Sequence, residues 1–131
     1  MNGCHIKPEQ FFNLIFGYYD RYSEQTSKTS TGEATTWAYS SAVPSGEVWV
    51  IEAVECYHDD PTARKSTIRA YDGTYYIIFA INIALGQYVN LIWSGRVTLK
   101  AGDKIAIGVD SLTTGKGVIG QIWGHKMKLA Q

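Results

Sequence analysis

The sequence contains few of the residues that small proteins use for catalysis or metal binding. Its three histidines, His5, His58 and His125, are scattered and do not form the paired spacing that zinc sites use. No Gly-x-Ser-x-Gly nucleophile motif occurs in the chain. The sequence therefore predicts no metal, no cofactor and no enzymatic activity.

Cysteine is also scarce, and the chain has two such residues, Cys4 and Cys56. Two cysteines do not make a disulfide framework. Cys56 lies in an apolar segment, where a buried free thiol is the usual outcome. These features predict synthesis in a reducing compartment.

An excess of charge and long apolar segments are absent as well. Twelve basic residues balance twelve acidic ones, so the chain has no global field that attracts nucleic acid or an anionic membrane. No segment approaches the ~20 apolar residues that span a bilayer, and Leu14-Ile15-Phe16 is too short for the core of a secretory signal. We therefore expect neither nucleic acid nor a membrane as a partner.

Three polar segments contain some, but not all, of the residues of known binding motifs. Gly115-Lys116-Gly117 lacks the following hydroxyl residue and the earlier Gly of a phosphate loop, which predicts a flexible turn. His58-Asp59-Asp60, with Glu55 before it, offers too few regularly spaced oxygen ligands for calcium and predicts a solvated turn before Pro61. Asp103 is expected to bond the backbone of its own turn.

Regular alternation of apolar and polar side chains is clearest between Trp93 and Asp110. It runs over residues 96–100 and, after a break at Ala101-Gly102-Asp103, resumes over residues 104–110. This pattern predicts two antiparallel strands joined by a Gly turn. Because each strand has one apolar face, a second sheet must cover it, and the segment predicts a β-sandwich.

The same strand pattern extends over most of the chain. Asp72-Gly73 separates two apolar segments and predicts a two-residue hairpin turn. With the pair above, the sequence predicts an all-β, jelly-roll-like sandwich of about eight antiparallel strands. The six other predicted strands cover residues 37–43, 47–57, 66–71, 74–81, 88–93 and 118–129.

Residues 1–36 differ in composition from the sandwich domain predicted for residues 37–131. Pro8 and the apolar residues after it predict a short helix, and residues 23–36, rich in Ser and Thr, predict a loop or extended arm. The arm either contacts a neighbouring protein or folds back over its own sandwich. The partner-binding residues predicted here are apolar and aromatic: Phe11, Phe12, Leu14, Ile15, Phe16, Tyr18, Tyr19 and Tyr22.

Two segments carry a resemblance to a known group of proteins. The sequence Val-Pro-Ser-Gly-Glu of residues 43–47 precedes one strand, and Leu-Lys-Ala-Gly-Asp of residues 99–103 precedes another. Together with Tyr71-Asp72-Gly73, they resemble small jelly-roll proteins of tailed bacteriophage virions, over roughly residues 37–129. The resemblance implies a structural protein made in the host cytoplasm, often a homotrimer, which binds the major capsid protein on the capsid surface and stiffens capsomer contacts.

Three functions follow from these features. The leading hypothesis is a capsid decoration or cement protein with residues 1–36 as its contact arm. The alternative is a carbohydrate- or receptor-binding module of a phage fibre, in which exposed rings such as Tyr71, Tyr75, Tyr76 and Trp93 stack on sugars. A small enzyme of the cupin type is disfavoured because the metal-binding histidines are absent.

Overall fold

The computed structural model describes residues 18–128 and, for side chains, residues 20–128. It confirms the predicted all-β fold, because these residues form eight antiparallel strands and no helix. The short helix expected after Pro8 lies outside the described residues. The strands are β1 (Tyr18–Thr29), β2 (Thr35–Tyr39), β3 (Glu47–His58), β4 (Arg64–Tyr71), β5 (Tyr76–Leu85), β6 (Leu91–Leu99), β7 (Lys104–Asp110) and β8 (Gly117–Lys128).

The strands form two four-stranded sheets. Sheet 1 has the order β1-β8-β3-β6 and sheet 2 the order β2-β7-β4-β5, which is the arrangement of a jelly roll. At one side of the sandwich β1 lies across from β2, and at the other side β5 lies across from β6. The molecule therefore has two sides with different outermost strands.

Alternate residues of the central strands point between the sheets and form the core. Burial of their branched apolar side chains supplies the main favourable free energy of folding. Cys56 is buried among them, as predicted, and burial raises the pKa of its thiol to about 12. The fully buried core side chains include Ile51, Val54, Ile68, Ile105, Ile107, Val109, Val118 and Ile122.

The structure corrects the prediction that residues 23–36 form a loop or arm. Residues 18–29 are strand β1, which pairs with β8 from Tyr18 opposite Met127 to Thr29 opposite Gly117, and residues 35 and 36 already belong to β2. An outermost strand hydrogen-bonds to one neighbour and keeps a wet face, so it needs few apolar residues. Residues 1–17 of the predicted arm lie outside the described residues.

The structure also corrects the hairpin predicted around Gly102. Residues 91–99 form one strand, β6, in sheet 1, whereas β7 belongs to sheet 2, so the turn carries the chain between the sheets. Gly102 has a φ of 90° and donates its N–H to the carbonyl of Val43 at 2.9 Å. Alternation showed which face of each strand is buried, but it does not show which strands pair.

The turn between β4 and β5 is longer than the two residues predicted. Tyr71 pairs with Tyr76, which leaves a four-residue loop with Gly73 at a φ of 99°. The Asp72 carboxylate accepts the N–H groups of Thr74 and Tyr75 at 2.8 and 2.7 Å. The hairpin itself was predicted correctly, and Asp72 stabilises it by bonding its own loop.

Candidate interaction surfaces

The first candidate surface is the side of the sandwich formed by β5 and β6. Ile77 is 65% exposed and Ile83 is 77% exposed, although both lie within β5. Strand β5 contains no charged residue, and β6 contains one, Arg96. We call this surface the β5–β6 edge, and its exposed apolar residues are Tyr75, Ile77, Ile78, Ile81, Ile83, Val89 and Ile92.

At one end of the β5–β6 edge the two sheets leave a cleft between them. Its volume is about 250 Å³. Ile77 and Phe79 line it from sheet 2, and Val97 and Leu99 line it from sheet 1. Phe79 stacks on Trp93 with ring centroids 5.2 Å apart. The cleft is therefore an extension of the apolar core that opens at this edge.

The second candidate surface is the outer face of sheet 2, where aromatic rings cover one another. Tyr76 lies between Trp37 and Tyr71, with centroid distances of 4.5 and 4.3 Å. The Arg69 guanidinium lies 5.0 Å from the Trp37 ring centroid. Trp37 also covers Gly108, where a Cβ would approach the ring to 2.5 Å. Both faces of Tyr76 are occupied, so this stack is not an open platform for a ligand.

A pair of phenols at this stack supports the same conclusion. The hydroxyl oxygens of Tyr39 and Tyr76 lie 2.8 Å apart. Burial and this hydrogen bond raise the pKa of Tyr39 above its ordinary value. Two of the rings proposed from sequence as sugar-stacking groups, Tyr71 and Tyr76, therefore pack within the protein. Of the other two, Trp93 is half-buried against Phe79, and Tyr75 is exposed at the β5–β6 edge.

The third candidate surface is the outer face of sheet 1, where two adjoining grooves have volumes of about 300 and 280 Å³. We call them the sheet-1 grooves. Trp123 lies in the first groove, and Tyr88 lies in the second. Tyr57 and Ile119 line both. The two grooves therefore form one continuous surface along the strands.

Strand register explains how this surface is assembled. Gln121 of β8 lies opposite Gln25 of β1 and Glu55 of β3, which makes a polar row. Trp123, two residues along the strand, lies between Ser23 and Ala53. Because these two neighbours are small, the indole projects above them and is 39% exposed.

The loop before β6 holds Tyr88 at the end of this surface. Tyr88 has a φ of 59°, which is uncommon for a residue with a side chain. Its N–H donates to the carbonyl of His58 at 2.9 Å, and the Gln87 side chain donates to the carbonyl of Asp59 at 2.9 Å. The Tyr88 and Tyr57 rings are 6.2 Å apart. These contacts fix the loop to the end of β3.

His58 and Asp60 form a buried network, which corrects the prediction of a solvated turn. His58 Nε2 donates to the Leu85 carbonyl at 2.6 Å, and its Nδ1 accepts the Asp60 N–H at 3.1 Å. The Asp60 carboxylate accepts the backbone N–H groups of Thr62 and Thr113, each at 2.9 Å, and pairs with Arg64 at 3.2 Å. Such a network joins three loops rather than binding a ligand.

The electrostatics of Asp60 follow from these contacts. Burial by itself would raise the pKa of the carboxyl group, but the hydrogen bonds from Thr113, Thr62 and Arg64 favour the charged form and outweigh it. The net result is a pKa well below the ordinary value. The carboxylate is thus a structural anion at physiological pH.

The residues predicted to bind a partner divide into three groups. Phe11, Phe12, Leu14, Ile15 and Phe16 lie outside the described residues, so their role stays a prediction. Tyr18 and Tyr19 lie at the start of β1, where the structure describes the backbone alone.

Tyr22 is the exception, because the structure places its side chain in the core. It is 5% exposed, its ring lies 4.4 Å from that of Trp49, and its hydroxyl donates to Glu24 at 2.6 Å. The ring of Tyr22 therefore packs in the core of the single chain, and its role in partner binding stays a prediction.

The remaining predicted sites are turns in the structure. Asp103 accepts the N–H of Lys100 at 3.0 Å, which confirms that it bonds its own turn. Gly115 has a φ of 89° in the connection from β7 to β8. Within residues 18–128, no three His, Cys, Asp or Glu side chains are grouped so that they could hold a metal ion. In the same range no helix is long and apolar enough to cross a membrane.

Comparisons with known proteins give structural likenesses alone. No protein-family model and no curated protein matches the chain. A pentameric capsid protein isolated from metagenomic phage sequences is 16% identical, with a TM-score of 0.39, and the match covers 100% of this chain and 73% of that one. The Drosophila NLP core is 15% identical, with a TM-score of 0.39 and coverages of 84% and 100%. A family 29 carbohydrate-binding module is 12% identical, with a TM-score of 0.39 and coverages of 87% and 78%. At these identities and TM-scores, the likenesses do not bear on what this chain binds.

Sequence reasoning missed the aromatic residues of the sheet-1 grooves, Tyr57, Tyr88 and Trp123. A period of two along β3 places Glu55 and Tyr57 on one face, and the same period along β8 places Gln121 and Trp123 on one face. The pairing of β3 with β8 brings these two faces together. That pairing is a long-range feature. Local alternation could therefore have suggested the outward-facing residues of each strand, but not that the two strands together form the sheet-1 grooves.

Proposed function

We propose that this chain is a structural protein of a phage virion, a decoration or cement protein that binds the capsid surface and acts as a homo-oligomer. The observation that carries the proposal is the apolar β5–β6 edge, whose two strands contain a single charged residue, Arg96. Monomeric proteins rarely expose this many large apolar side chains on and beside two outermost strands, and such exposure marks contacts with other proteins. A partner covers this edge in the working protein.

The size and chemistry of the β5–β6 edge favour a second copy of the chain as that partner. The exposed fractions of its apolar side chains, from 49% to 77%, leave apolar area that a second copy can cover. Oligomer interfaces are more apolar than the rest of the surface. Among the described strands none pairs with the outer side of β5 or β6, so their backbone groups are available to a neighbouring strand.

A non-enzymatic role is part of the proposal. Among the described residues, every buried side-chain nitrogen or oxygen has a hydrogen-bond partner. Catalytic sites often contain polar groups whose bonding is incomplete until substrate binds. The satisfied polar groups of this sandwich favour a rigid body whose function is contact. The major capsid protein as partner, and the trimer, are expectations that come from the sequence resemblance.

The virion role is tested with particles assembled in the presence and absence of this chain. We expect the chain to sediment with purified particles in a fixed ratio to the major capsid protein. Particles without it should release their DNA at a lower temperature, because capsomer contacts lose a bridging partner. A chain that stays in the soluble fraction when particles are purified would contradict the virion role.

A carbohydrate- or receptor-binding module of a phage fibre is the alternative function. The rings named for it from sequence give it little support, since Tyr71, Tyr76 and Trp93 pack against other rings. The observation that favours it is the pair of sheet-1 grooves. A chain found in purified fibres rather than on the capsid would support this alternative.

A further inference from the structure

We propose that the sheet-1 grooves bind a neutral oligosaccharide, with Trp123, Tyr57 and Tyr88 contacting successive sugar rings. This inference does not depend on the virion role, because no residue that lines the grooves is among the exposed apolar residues of the β5–β6 edge. An aromatic ring covers the apolar C–H face of a sugar, and the groups around the ring decide whether the sugar hydroxyls are also satisfied.

The first groove offers both kinds of contact. The Gln121 side chain donates to the Ser23 hydroxyl at 2.9 Å, which fixes the position of its amide. Gln25 and Glu55 lie on either side of it. An amide donates and accepts hydrogen bonds and a carboxylate accepts them, so this row satisfies hydroxyl groups in either role. Trp123 stands directly beside the row.

The spacing of the aromatic residues fits a chain of sugars rather than a single ring. Trp123 and Ile119 are four residues apart on β8, and Ile119 lies opposite Tyr57. At the rise of a β-strand this is about 13 Å. Tyr88 extends the line beyond Tyr57 into the second groove. A ligand that contacts all three residues must therefore contain several linked units.

The site is rigid before any ligand arrives. Trp123 and Tyr57 are carried by the paired strands β8 and β3, and Tyr88 is held by the hydrogen bonds of its loop to the end of β3. A left-handed residue that is anchored in this way keeps one conformation. Binding then loses little conformational entropy, which favours measurable affinity from a shallow surface.

The charges of the lining residues favour a neutral ligand. Glu55 is the one ionisable carboxylate or amine among the residues that line the first groove. In the second groove Lys28 and Asp59 have opposite charges. Sulfated or uronic sugars, and nucleic acids, need an excess of cationic groups, which this surface lacks. The polar row also makes it less suited to an apolar protein partner than the β5–β6 edge.

The proposal is tested by nuclear magnetic resonance titration of the full chain with free cello-, manno-, xylo- and chito-oligosaccharides. The four tryptophan indole N–H signals report separately on Trp37, Trp49, Trp93 and Trp123. We expect at least one sugar to shift the Trp123 indole and the amides of residues 119–123, at concentrations of about 1 mM or below. Repetition at several protein concentrations separates these shifts from self-association.

Variants decide whether the sugar lies in the sheet-1 grooves. Trp123→Ala and Tyr57→Ala should each weaken binding about tenfold or more, because each removes one stacking surface. Tyr75→Ala is the matched control, since Tyr75 is an exposed ring remote from these grooves, and it should leave affinity unchanged. The unperturbed spectrum of each variant shows that the fold is retained.

Three results would overturn the proposal. One is the absence of any Trp123 shift with all four sugar series up to about 10 mM, because a specific site of this size should bind sugar with a lower dissociation constant than that. Another is binding that persists unchanged in Trp123→Ala. The third is a shift of Trp123 caused by a purified capsid or fibre protein and by none of the sugars, which would make the grooves a protein contact.

Discussion

The two sides of this sandwich differ in the residues that their outermost strands expose to solvent. At the side formed by β1 and β2, the exposed residues of β1 are polar or charged, and Tyr22 covers the core from within. At the β5–β6 edge, isoleucines are exposed on a strand without charge. Natural proteins protect an open edge with charged residues, and the absence of charge from β5 is the basis for proposing that another chain covers this edge.

The largest effect is expected from placing charges on the β5–β6 edge. In the double variant Ile77→Lys and Ile83→Lys, self-association should weaken by at least about a thousandfold, because two ammonium groups would be desolvated in the interface. Sedimentation equilibrium measures the change. The fold should be unaffected, since both positions are exposed in the single chain.

The control for that variant places the same charges on the opposite side of the sandwich. Ser27 and Thr29 are exposed positions of β1, and their replacement by Lys should leave both stability and self-association unchanged. Equal weakening by the two double variants would mean that net charge, not the β5–β6 edge, controls assembly.

Tyr22→Ala is expected to have the next largest effect, and on a different quantity. Loss of the ring leaves a cavity beside Trp49 and should lower the free energy of unfolding by about 3 kcal/mol. Urea denaturation measures it. Tyr22→Phe keeps the ring and removes the bond to Glu24, so it should lose about 1 kcal/mol. A stable Tyr22→Ala chain with altered assembly would instead support the predicted partner role of this residue.

Asp60→Asn should lower the free energy of unfolding by about 2 kcal/mol. The amide cannot accept the hydrogen bonds of Thr62, Thr113 and Arg64 with the strength of a carboxylate. Denaturation at neutral pH measures the loss. Asp59→Asn is not an equivalent control, because Asp59 bonds Gly117 at the start of β8. Asp20→Asn is the better control, because Asp20 is exposed and accepts the local N–H of Arg21, so it should lose less stability.

Acid should destabilise the fold through Glu33 and Asp60 in a defined range of pH. The Thr31 hydroxyl, together with backbone N–H groups, lowers the pKa of Glu33 from 4.5 to about 2. A lowered pKa means that the folded state binds protons less readily than the unfolded state, so stability is full above about pH 4.5 and falls towards pH 2. Asp60 acts in the same direction.

The measurement is urea denaturation at a series of pH values. Glu33→Gln should flatten the decline between pH 4.5 and 2. A decline that is unchanged in this variant would assign the acid sensitivity to other groups. Strands β5 and β6 contain no carboxylate, so assembly of the folded chain should not follow the same curve.

Local patterns predicted the sandwich because each strand with one apolar face needs a covering sheet. The alternation over residues 104–110 predicted β7, and the apolar segment from residue 47 predicted β3. Strand β1 was missed, because a polar outermost strand has the composition of a loop. The Gly102 turn was assigned to a hairpin because neighbours in sequence usually pair, whereas here the chain crosses between sheets.

The candidate surfaces were less predictable than the fold. The isoleucines of β5 have the pattern of a buried strand, and sequence does not show that β5 is outermost in its sheet. Likewise, Tyr71 and Tyr76 were predicted to be exposed because the sequence does not show that their rings stack on each other. Exposure depends on strand order and long-range register, which alternation within one strand does not encode.

The most direct test of the central claim is amide hydrogen exchange of the wild-type chain at low and high protein concentration. A second copy at the β5–β6 edge predicts that amides of residues 76–85 and 91–99 exchange more slowly as concentration rises. Those of residues 18–29 should exchange at a constant rate. Concentration-dependent protection of β1 instead, or of no strand while light scattering gives the monomer mass, would contradict the assignment of the β5–β6 edge.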